Sequence, residues 1–281
     1  MNAIEIKNVS KSFGSFKIDN LNLTLPCGCI MGLIGENGAG KSTTIKLILD
    51  ILHKDSGAIT ILGNDNQENT KLIKENVGVV TDDIGIPECL TANQINKIMQ
   101  YTYKHWDCEE FLRLIKKLSI PDNKPFKEFS RGTRMKMGIA IAMSHKSKLL
   151  LLDEATSGLD PVVRDEVIDM FYDFTRDENH SILISSHIVS DLEKLCDYIA
   201  FLHNGRLLLC EEKDLLLAQY GIIHCTREQL NKIDAASVIH KKESLYGIEA
   251  IVQRNRIPSD ISVSPISIEE LFVFMIKEKQ I

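Results

Sequence analysis

The sequence predicts an α/β fold with a mainly parallel central sheet. Three apolar runs carry this prediction: CIMGLI (29–34), LLLL (149–152) and SILISS (181–186). Short continuous apolar runs are typical of parallel strands that are buried on both faces. Because open α/β sheets bind ligands at the carboxyl ends of their strands, the segments after these runs hold the candidate functional residues.

The first run leads into the glycine-rich segment GLIGENGAGKST (32–43). Apolar residues then recur at helical spacing, which predicts a helix over 43–52. The string G-x-x-x-x-G-K-S at 35–42 is the pattern of a phosphate-binding P-loop, which joins a strand to the start of a helix. A glycine-rich turn with a surface lysine is the alternative. The strand before the loop and the helix after it favour the phosphate-binding interpretation.

Glycines in a P-loop let the backbone curl, so that successive N–H groups point into one concavity beside a helix N-terminus. Lys41 is expected to reach the β- and γ-phosphates, Ser42 to bind Mg²⁺, and Thr43 to bond the α-phosphate. The predicted ligand is a nucleoside triphosphate with Mg²⁺. The candidate nucleotide-binding residues in this loop are Gly35, Asn37, Gly38, Ala39, Gly40, Lys41, Ser42 and Thr43.

Two carboxylates, Asp153 and Glu154, follow the leucine run at 149–152. Asp153 can hold Mg²⁺ through its water shell, and Glu154 can polarise an attacking water as a general base. A solvated turn is the alternative for an Asp–Glu pair, but the four leucines before it and the P-loop elsewhere favour a catalytic pair. His187 follows the run at 181–186, where we expect contact with the γ-phosphate.

Composition limits the classes of partner. The chain has 281 residues, 44% hydrophobic and 26% charged, as is usual for a soluble globular protein. Its net charge of −6 argues against nonspecific nucleic-acid binding, which needs excess Lys and Arg, so no nucleic-acid partner is expected. The sequence contains neither a secretory signal nor a spanning segment of roughly 20 apolar residues. A cytoplasmic location is therefore expected, with a separate partner for any work at a membrane.

These motifs together resemble the nucleotide-binding subunit of ABC transporters. The P-loop, the LLLLDE strand, SGLD at 157–160 and the histidine of SSHIVSDLEKLCD stand in the family's order. The resemblance covers residues 1–220, the predicted ATP-binding domain. It implies a P-loop NTPase fold with an N-terminal antiparallel β subdomain and an α-helical signature subdomain at 84–146. Residues 221–281 carry no motif and are read as a small C-terminal α+β appendix.

The resemblance implies further nucleotide contacts. Phe13 matches the aromatic residue that stacks on adenine, Phe16 is a weaker candidate, and a core role for Phe13 is the alternative. FSRGTRMK stands in place of the LSGGQ signature, so Ser130 and Gly132 are expected to contact the γ-phosphate held by the other subunit of a dimer. Asp160, from SGLD, is a further candidate at the nucleotide and is also suited to cap a helix.

Arg131 and Asp82 are among the positions that depart from the family pattern. Arg131 replaces a glycine of the signature, where it could add a charge-assisted phosphate contact or crowd the dimer seam, and the sequence leaves both open. Asp82 stands where the family often has glutamine, and a carboxylate can still bind Mg²⁺. The predicted catalytic residues are thus Glu154, His187 and Lys41. The predicted metal ligands are Ser42, Asp153 and Asp82.

The resemblance also implies a role and partners. We expect an ATPase subunit that pairs with a second ATP-binding subunit and drives a separate integral membrane permease from the inner face of the cell membrane. The SRG signature and the acidic residue at 82 resemble the ABC-2-type exporters of the bacitracin- or lantibiotic-resistance or YtrB-like kind. Export of a peptide, antibiotic or other small amphipathic compound is therefore expected. A non-transport ABC ATPase and an ATP-gated regulatory module with weak hydrolysis are the alternatives.

A membrane subunit would be expected to insert a helix into a groove beside position 82. The candidate contacts are Ile84, Ile86, Pro87 and Leu90, and internal packing is the alternative for all four.

Overall fold

The computed structural model describes residues 1–81, 84–244, 247–258 and 261–278, and three sheets form its framework. In chain order the strands are β1 (Asn2–Phe13), β2 (Phe16–Pro26), β3 (Ile30–Ile34), β4 (Ser56–Ile61), β5 (Asn64–Asp65), β6 (Val77–Val80), β7 (Leu149–Asp153), β8 (Ser181–Ser186), β9 (Tyr198–His203), β10 (Arg206–Glu212), β11 (Tyr220–Cys225), β12 (Val238–Ser244) and β13 (Gly247–Gln253).

The helices lie between these strands and after the last of them. In chain order they are α1 (Lys41–Ile48), α2 (Thr70–Asn76), α3 (Ala92–Thr102), α4 (Cys108–Lys117), α5 (Arg131–Met143), α6 (Pro161–Phe174), α7 (Val189–Leu195), α8 (Lys213–Gln219), α9 (Arg227–Leu230) and α10 (Ile268–Glu278).

The central sheet has the order β10-β9-β3-β8-β7-β6. Its strands β9, β3, β8, β7 and β6 are mutually parallel, and β10 is an antiparallel edge strand paired with β9. All three predicted apolar strands, β3, β7 and β8, are central in this sheet. Their carboxyl ends therefore meet at one edge, which confirms the mainly parallel α/β fold.

A second, antiparallel sheet with the order β2-β1-β4-β5 packs on one face of the central sheet. Strand β7 shows how the two layers are divided. Leu149 and Leu151 belong to the core shared with the antiparallel sheet, whereas Leu150 and Leu152 belong to the core beneath the helices on the other face. Because successive strand residues point to opposite faces, an uninterrupted leucine run fills both cores at once.

The predicted helix after the P-loop is real, but its bounds were wrong. It was predicted over 43–52, whereas α1 begins at Lys41 and ends at Ile48. Leu49 and Leu52 still pack against the core from the turn that follows the helix. Apolar spacing alone does not distinguish the last turn of a helix from an irregular turn whose apolar side chains pack against the same core.

The helices α3, α4 and α5 lie within the predicted signature subdomain. A capping box begins α3: the Thr91 side chain accepts from the Gln94 amide, and the Gln94 side chain accepts from the Thr91 amide. In the helical core α5 packs against β6, and α4 packs against α5. These elements hold the signature segment 129–133 at the amino end of α5.

The C-terminal residues form a third sheet with the order β11-β13-β12 and the helix α10. Phe272 of α10 packs on Phe201 of β9 with the ring centroids 5.1 Å apart, so the helix adds to the core under the central sheet. The division at residue 220 remains a prediction. The helix α8 ends at Gln219, and Gly221 lies in β11 opposite Val252.

Candidate functional site

The loop after β3 approaches its neighbours so closely that side chains are excluded from it. A Cβ added to Gly35 would lie 2.6 Å from the Leu202 carbonyl oxygen on β9, closer than real Cβ atoms come. Gly40 has a φ of +110°, a backbone conformation that residues with side chains rarely adopt. The chain therefore curls tightly between β3 and the first residue of α1, Lys41.

Lys41 is almost completely buried, and its ammonium group lies inside the curl of the loop. Nζ donates to the carbonyl oxygens of Gly35, at 2.7 Å, and of Glu36, at 3.3 Å. It also lies 3.7 Å from Oε1 of Glu154. The Lys41 ammonium group thus contacts two backbone carbonyls and one carboxylate. These contacts hold Nζ in one position, where an anionic ligand in the loop can bind it.

The predicted carboxylate pair stands at the carboxyl end of β7. Asp153 Oδ1 accepts from the Ser185 hydroxyl at 2.5 Å, and the Glu154 amide donates to the same hydroxyl at 3.2 Å. Glu154 has a φ of +55°, in the left-handed region. A non-glycine residue there costs of order 1–3 kcal/mol, and such strain clusters at functional sites.

His187, from the end of β8, contacts the same glutamate. Its Nδ1 lies 2.5 Å from Glu154 Oε2, and its backbone amide donates to Oε2 at 3.3 Å. The Glu154 carboxylate therefore stands between the lysine of the loop and the imidazole of the neighbouring strand. The three residues predicted to be catalytic from sequence lie together in this structure.

Lys41, Glu154 and His187 all line one cavity of about 750 Å³, here called the P-loop cavity. Its lining is Phe16, Glu36, Asn37, Gly38, Gly40, Lys41, Ser42, Thr43, Arg131, Glu154, Ser157 and His187. The volume is within the range of ligand-binding sites for small molecules. The arrangement offers a lysine, a histidine, a glutamate and a helix N-terminus to one ligand, which suits a polyphosphate with a water beside it.

The residues present fit Mg²⁺. Ser42 is an exposed residue in the cavity lining, and the Asp153 carboxylate lies at the carboxyl end of β7, two strands from β3 in the same sheet. Within the described ranges no group of three His, Cys, Asp or Glu side chains forms a metal cage. Mg²⁺ usually keeps several waters and binds through one or two protein ligands plus substrate phosphates, so a hydroxyl with one carboxylate is a suitable donor set. The third predicted ligand, Asp82, lies outside the described residues.

The signature residues and Asp160 begin two helices. Ser130 caps α5, where its Oγ accepts from the Thr133 amide at 3.2 Å. Asp160 caps α6 by accepting from the Val163 amide at 3.2 Å. Gly132 lies against the 157–160 segment, since a Cβ there would stand 3.0 Å from the Gly158 carbonyl oxygen. Ser130, Gly132 and Asp160 are outside the lining of the P-loop cavity, and their predicted nucleotide contacts are not tested within one chain.

Several lining residues were missed or ranked low in the sequence. Phe16, the weaker aromatic candidate, lines the cavity, whereas Phe13 is 36% exposed beyond it with Lys11 Nζ 5.7 Å from its ring centroid. Glu36 lies within the P-loop, and its Oε2 is 3.0 Å from Nδ1 of His203 on β9. The parallel pairing of β9 with β3 brings that histidine close, so no local pattern could have found it.

A second cavity of about 670 Å³, here called the β6 groove, runs beside the edge strand β6 between α1, α2, α3 and α5. Ile84 and Ile86 line it, while Leu90 packs against the helical core and Pro87 is exposed. His145 lies at its base and is almost completely buried. Its ring stacks on Tyr103 with centroids 4.1 Å apart, and its Nε2 has no hydrogen-bond partner. Burial lowers the pKa of His145 to about 4, against a smaller raising effect of Glu75.

Comparison with known proteins identifies the relatives of this site. The family profile described as ABC transporter matches residues 18–157. A bacitracin transport ATP-binding protein of Bacillus licheniformis is 36% identical over 209 residues, 73% of this chain and 68% of the relative. A lantibiotic transport ATP-binding protein of Streptococcus pyogenes is 35% identical over 214 residues, 75% of this chain and 91% of the relative.

Solved structures agree in fold. An ATP-binding subunit of an ABC transporter matches with a TM-score of 0.70 and 26% identity, covering 77% of this chain and 92% of that chain. A dimeric post-hydrolysis ATP-binding cassette bound to ADP and Pi matches with a TM-score of 0.66 and 19% identity, covering 75% and 98%. Among the described residues, each helix is too short or too polar to cross a membrane.

Proposed function

The chain belongs to the ATP-binding subunits of ABC transporters and is an ATPase of that family, and from this premise we propose that its ATP cycle drives a separate membrane-spanning subunit. The cargo we propose is a peptide, antibiotic or other small amphipathic compound that is exported. This proposal is supported by two relatives, 36% and 35% identical, which are a bacitracin and a lantibiotic transport ATP-binding protein.

The observation that carries the proposal is the position of Glu154 between Lys41 and His187 in one cavity. In the proposed reaction Glu154 takes a proton from a water while that water bonds the γ-phosphorus. The bond to the β-phosphate oxygen then breaks and leaves ADP and inorganic phosphate. Lys41 and His187 hold the γ-phosphate as negative charge shifts within it, which is electrostatic stabilisation by fixed donors.

We propose that Ser42, Asp153 and Asp82 would hold Mg²⁺, which would neutralise phosphate charge when bound. The contact between Asp153 and the Ser185 hydroxyl orients this carboxylate from behind, as outer hydrogen bonds orient metal ligands in general. Depletion of Mg²⁺ should therefore abolish turnover and weaken ATP binding.

We further propose that two ATP-binding subunits pair with the nucleotides between them, so that Ser130 and Gly132 of each face the γ-phosphate held by the other. Both residues lie at the amino end of α5, where backbone N–H groups and a serine hydroxyl suit a phosphate. Asp160 begins α6 beside them and is proposed to help shape the same seam. Phe13, or Phe16 in the cavity lining, would supply the adenine contact.

The β6 groove is the proposed seat of the membrane subunit, which would hold the chain at the cytoplasmic face of the membrane. Its walls are mainly apolar, and Ile51 stands at its rim with 64% of its surface exposed. A large exposed isoleucine beside an apolar groove is suited to burial by a partner helix.

Steady-state phosphate release with Mg-ATP tests the enzyme, and coexpression with a multi-span membrane protein, if an adjacent gene encodes one, tests the partner. We expect turnover that needs Mg²⁺ and a complex that survives purification. ATP binding without phosphate release would assign the chain to the alternative of an ATP-gated regulatory module. Turnover with no association would contradict the transport role while leaving the ATPase intact.

A further inference from the structure

The turn between β9 and β10 contacts the P-loop through its backbone and through one side chain. The Gly205 amide of this turn donates to the Ala39 carbonyl oxygen at 2.9 Å. His203, at the carboxyl end of β9, is almost completely buried, and its Nδ1 lies 3.0 Å from Oε2 of Glu36. The P-loop and the histidine are therefore held in a fixed relation, with the imidazole against a carboxylate of the loop.

The hydrogen bonds of the His203 ring define what it offers to Glu36. On its other side, Asn204 Nδ2 lies 2.9 Å from Nε2 of the ring. An amide nitrogen can only donate, so Nε2 accepts and the ring hydrogen lies on Nδ1. Nδ1 therefore donates to Oε2 of Glu36, and this hydrogen bond ties the carboxylate to the end of β9.

Glu36 carries a negative charge beside the place where the phosphates are expected. It lines the P-loop cavity, and its side chain is half exposed. Its backbone carbonyl oxygen accepts at 3.3 Å from Nζ of Lys41, the cation proposed to hold the γ-phosphate. A Glu36 carboxylate released from His203 would repel the phosphates or compete with them for Lys41, because charges interact strongly where little water separates them.

We propose that His203 is a positioning residue of the nucleotide site, which binds the Glu36 carboxylate and so keeps its negative charge turned away from the phosphates of ATP. This inference rests on the proposed function. His203 is outside the lining of the P-loop cavity, so it acts through Glu36 and not on the nucleotide itself. Since ADP carries less negative charge than ATP, the contact favours ATP binding more than ADP binding.

The test measures the affinity of the full chain for a non-hydrolysable ATP analogue and for ADP. His203→Phe keeps a ring but removes the donor, and His203→Asn can place an amide donor near the position of Nδ1. Both are made in the wild-type chain and in Glu36→Gln. His180→Phe is the matched control, because His180 is also partly buried and its Nδ1 lies 3.1 Å from the Phe174 carbonyl oxygen, outside the cavity lining.

We expect His203→Phe to weaken binding of the ATP analogue by about fivefold or more, with a smaller effect on ADP, as release of a unit charge beside the phosphates predicts. His203→Asn should bind the analogue more tightly than His203→Phe does. In Glu36→Gln there is no charge to hold, so His203→Phe should there change the affinity by less than about twofold. His180→Phe should change neither affinity.

The Glu36→Gln background separates positioning from packing. Equal weakening by His203→Phe in both backgrounds would show that the histidine only packs beneath the loop, and this result or an unchanged affinity in His203→Phe would overturn the proposal. Glu36→Gln alone leaves the buried histidine in place and should bind the analogue within about twofold of the wild type. A larger change in either direction would also overturn the proposal, whereas a wild-type chain that binds neither nucleotide would contradict the proposed function itself.

Discussion

The P-loop cavity and the β6 groove have similar volumes, about 750 and 670 Å³, but opposite chemistry. The cavity is lined by glycines, hydroxyls and four charged side chains, whereas isoleucines and other apolar groups form the larger part of the groove lining, with Lys71, Lys74 and Glu75 beside them. The difference indicates two kinds of ligand. A small, highly charged anion suits the cavity, and an apolar segment of a partner suits the groove.

One helix touches both sites. The first residue of α5, Arg131, lines the cavity, and its last turns contribute Ile141 and Ala142 to the groove. At about 1.5 Å per residue, this helix spans roughly 20 Å. A rigid element between two sites is a geometric route for coupling, and only variants that separate the sites can establish it. The following predictions therefore act on one site and measure both.

The largest expected effect is on hydrolysis, from Glu154→Gln. Loss of a positioned general base should lower phosphate release by about 10²–10⁴-fold while ATP binding persists. Persistent ATP should then hold a closed dimer, visible as an ATP-dependent shift in size-exclusion chromatography. Glu166→Gln, an exposed position on α6, is the matched control and should leave turnover near that of the wild type. Normal turnover by Glu154→Gln would remove the glutamate from its role.

The next effect is on nucleotide affinity, from Lys41→Ala. We expect ATP binding to weaken about ten- to a hundredfold, since charged hydrogen bonds of this kind contribute about 1.5–3 kcal/mol. Lys46→Ala removes an exposed lysine of the same helix and should bind ATP normally. Equilibrium titration with a fluorescent ATP analogue measures both. Lys41→Ala should still bind the membrane subunit when no nucleotide is present. Loss of that binding would contradict the assignment of nucleotide and partner to two separate sites.

The sequence predicted the cavity better than the groove, because the cavity's chemistry is encoded locally. Glycines, the lysine and the acid pair lie in short contiguous stretches at strand ends, and the parallel sheet alone brings the stretches together. The capping box at Thr91 is local in the same sense, since both of its partners lie within four residues.

Features made by long-range packing were not predicted. The pairing of Glu36 with His203, the cavity position of Arg131 and the burial of His145 each depend on elements distant in sequence. Gly221 illustrates the same limit, because its place in β11 is fixed by pairing with Val252 and not by the helix before it. Local propensity gives way to tertiary contacts at such positions.

The third prediction concerns stability at acid pH and acts on the groove. The pKa of His145 is lowered to about 4 in the folded chain, from 6.5. Between pH 6.5 and pH 4 the His145 imidazole is therefore protonated in the unfolded chain but neutral in the folded chain. The free energy of unfolding is highest above pH 6.5 and decreases as the pH falls toward 4. At pH 5 this loss should be about 2 kcal/mol relative to His145→Phe, which keeps a ring against Tyr103.

Urea unfolding at pH 7.5 and pH 5 measures this difference. His105→Phe changes an exposed histidine and serves as the control, which should follow the wild type at both pH values. ATP affinity at pH 7.5 should be the same in all three chains, because His145 lies in the groove and outside the cavity lining. A pH response identical in wild type and His145→Phe would contradict a buried neutral imidazole.

The smallest expected effect is on partner binding, from Ile51→Ser at the rim of the β6 groove. Ile51 is 64% exposed in the isolated chain, so the substitution should hardly change the free energy of unfolding or ATP affinity. If a membrane subunit covers the groove, loss of this apolar contact should weaken the complex by about 1 kcal/mol, roughly fivefold. Leu215→Ser, an exposed leucine on α8 outside the groove lining, is the matched control. The affinity of each variant for the membrane subunit in nanodiscs shows which of the two surfaces, the β6 groove or the exposed face of α8, contacts the partner. Equal weakening by both variants would mean that the membrane subunit does not bind preferentially at the β6 groove. That result would contradict the assignment of the groove to a protein partner and of the P-loop cavity to the nucleotide.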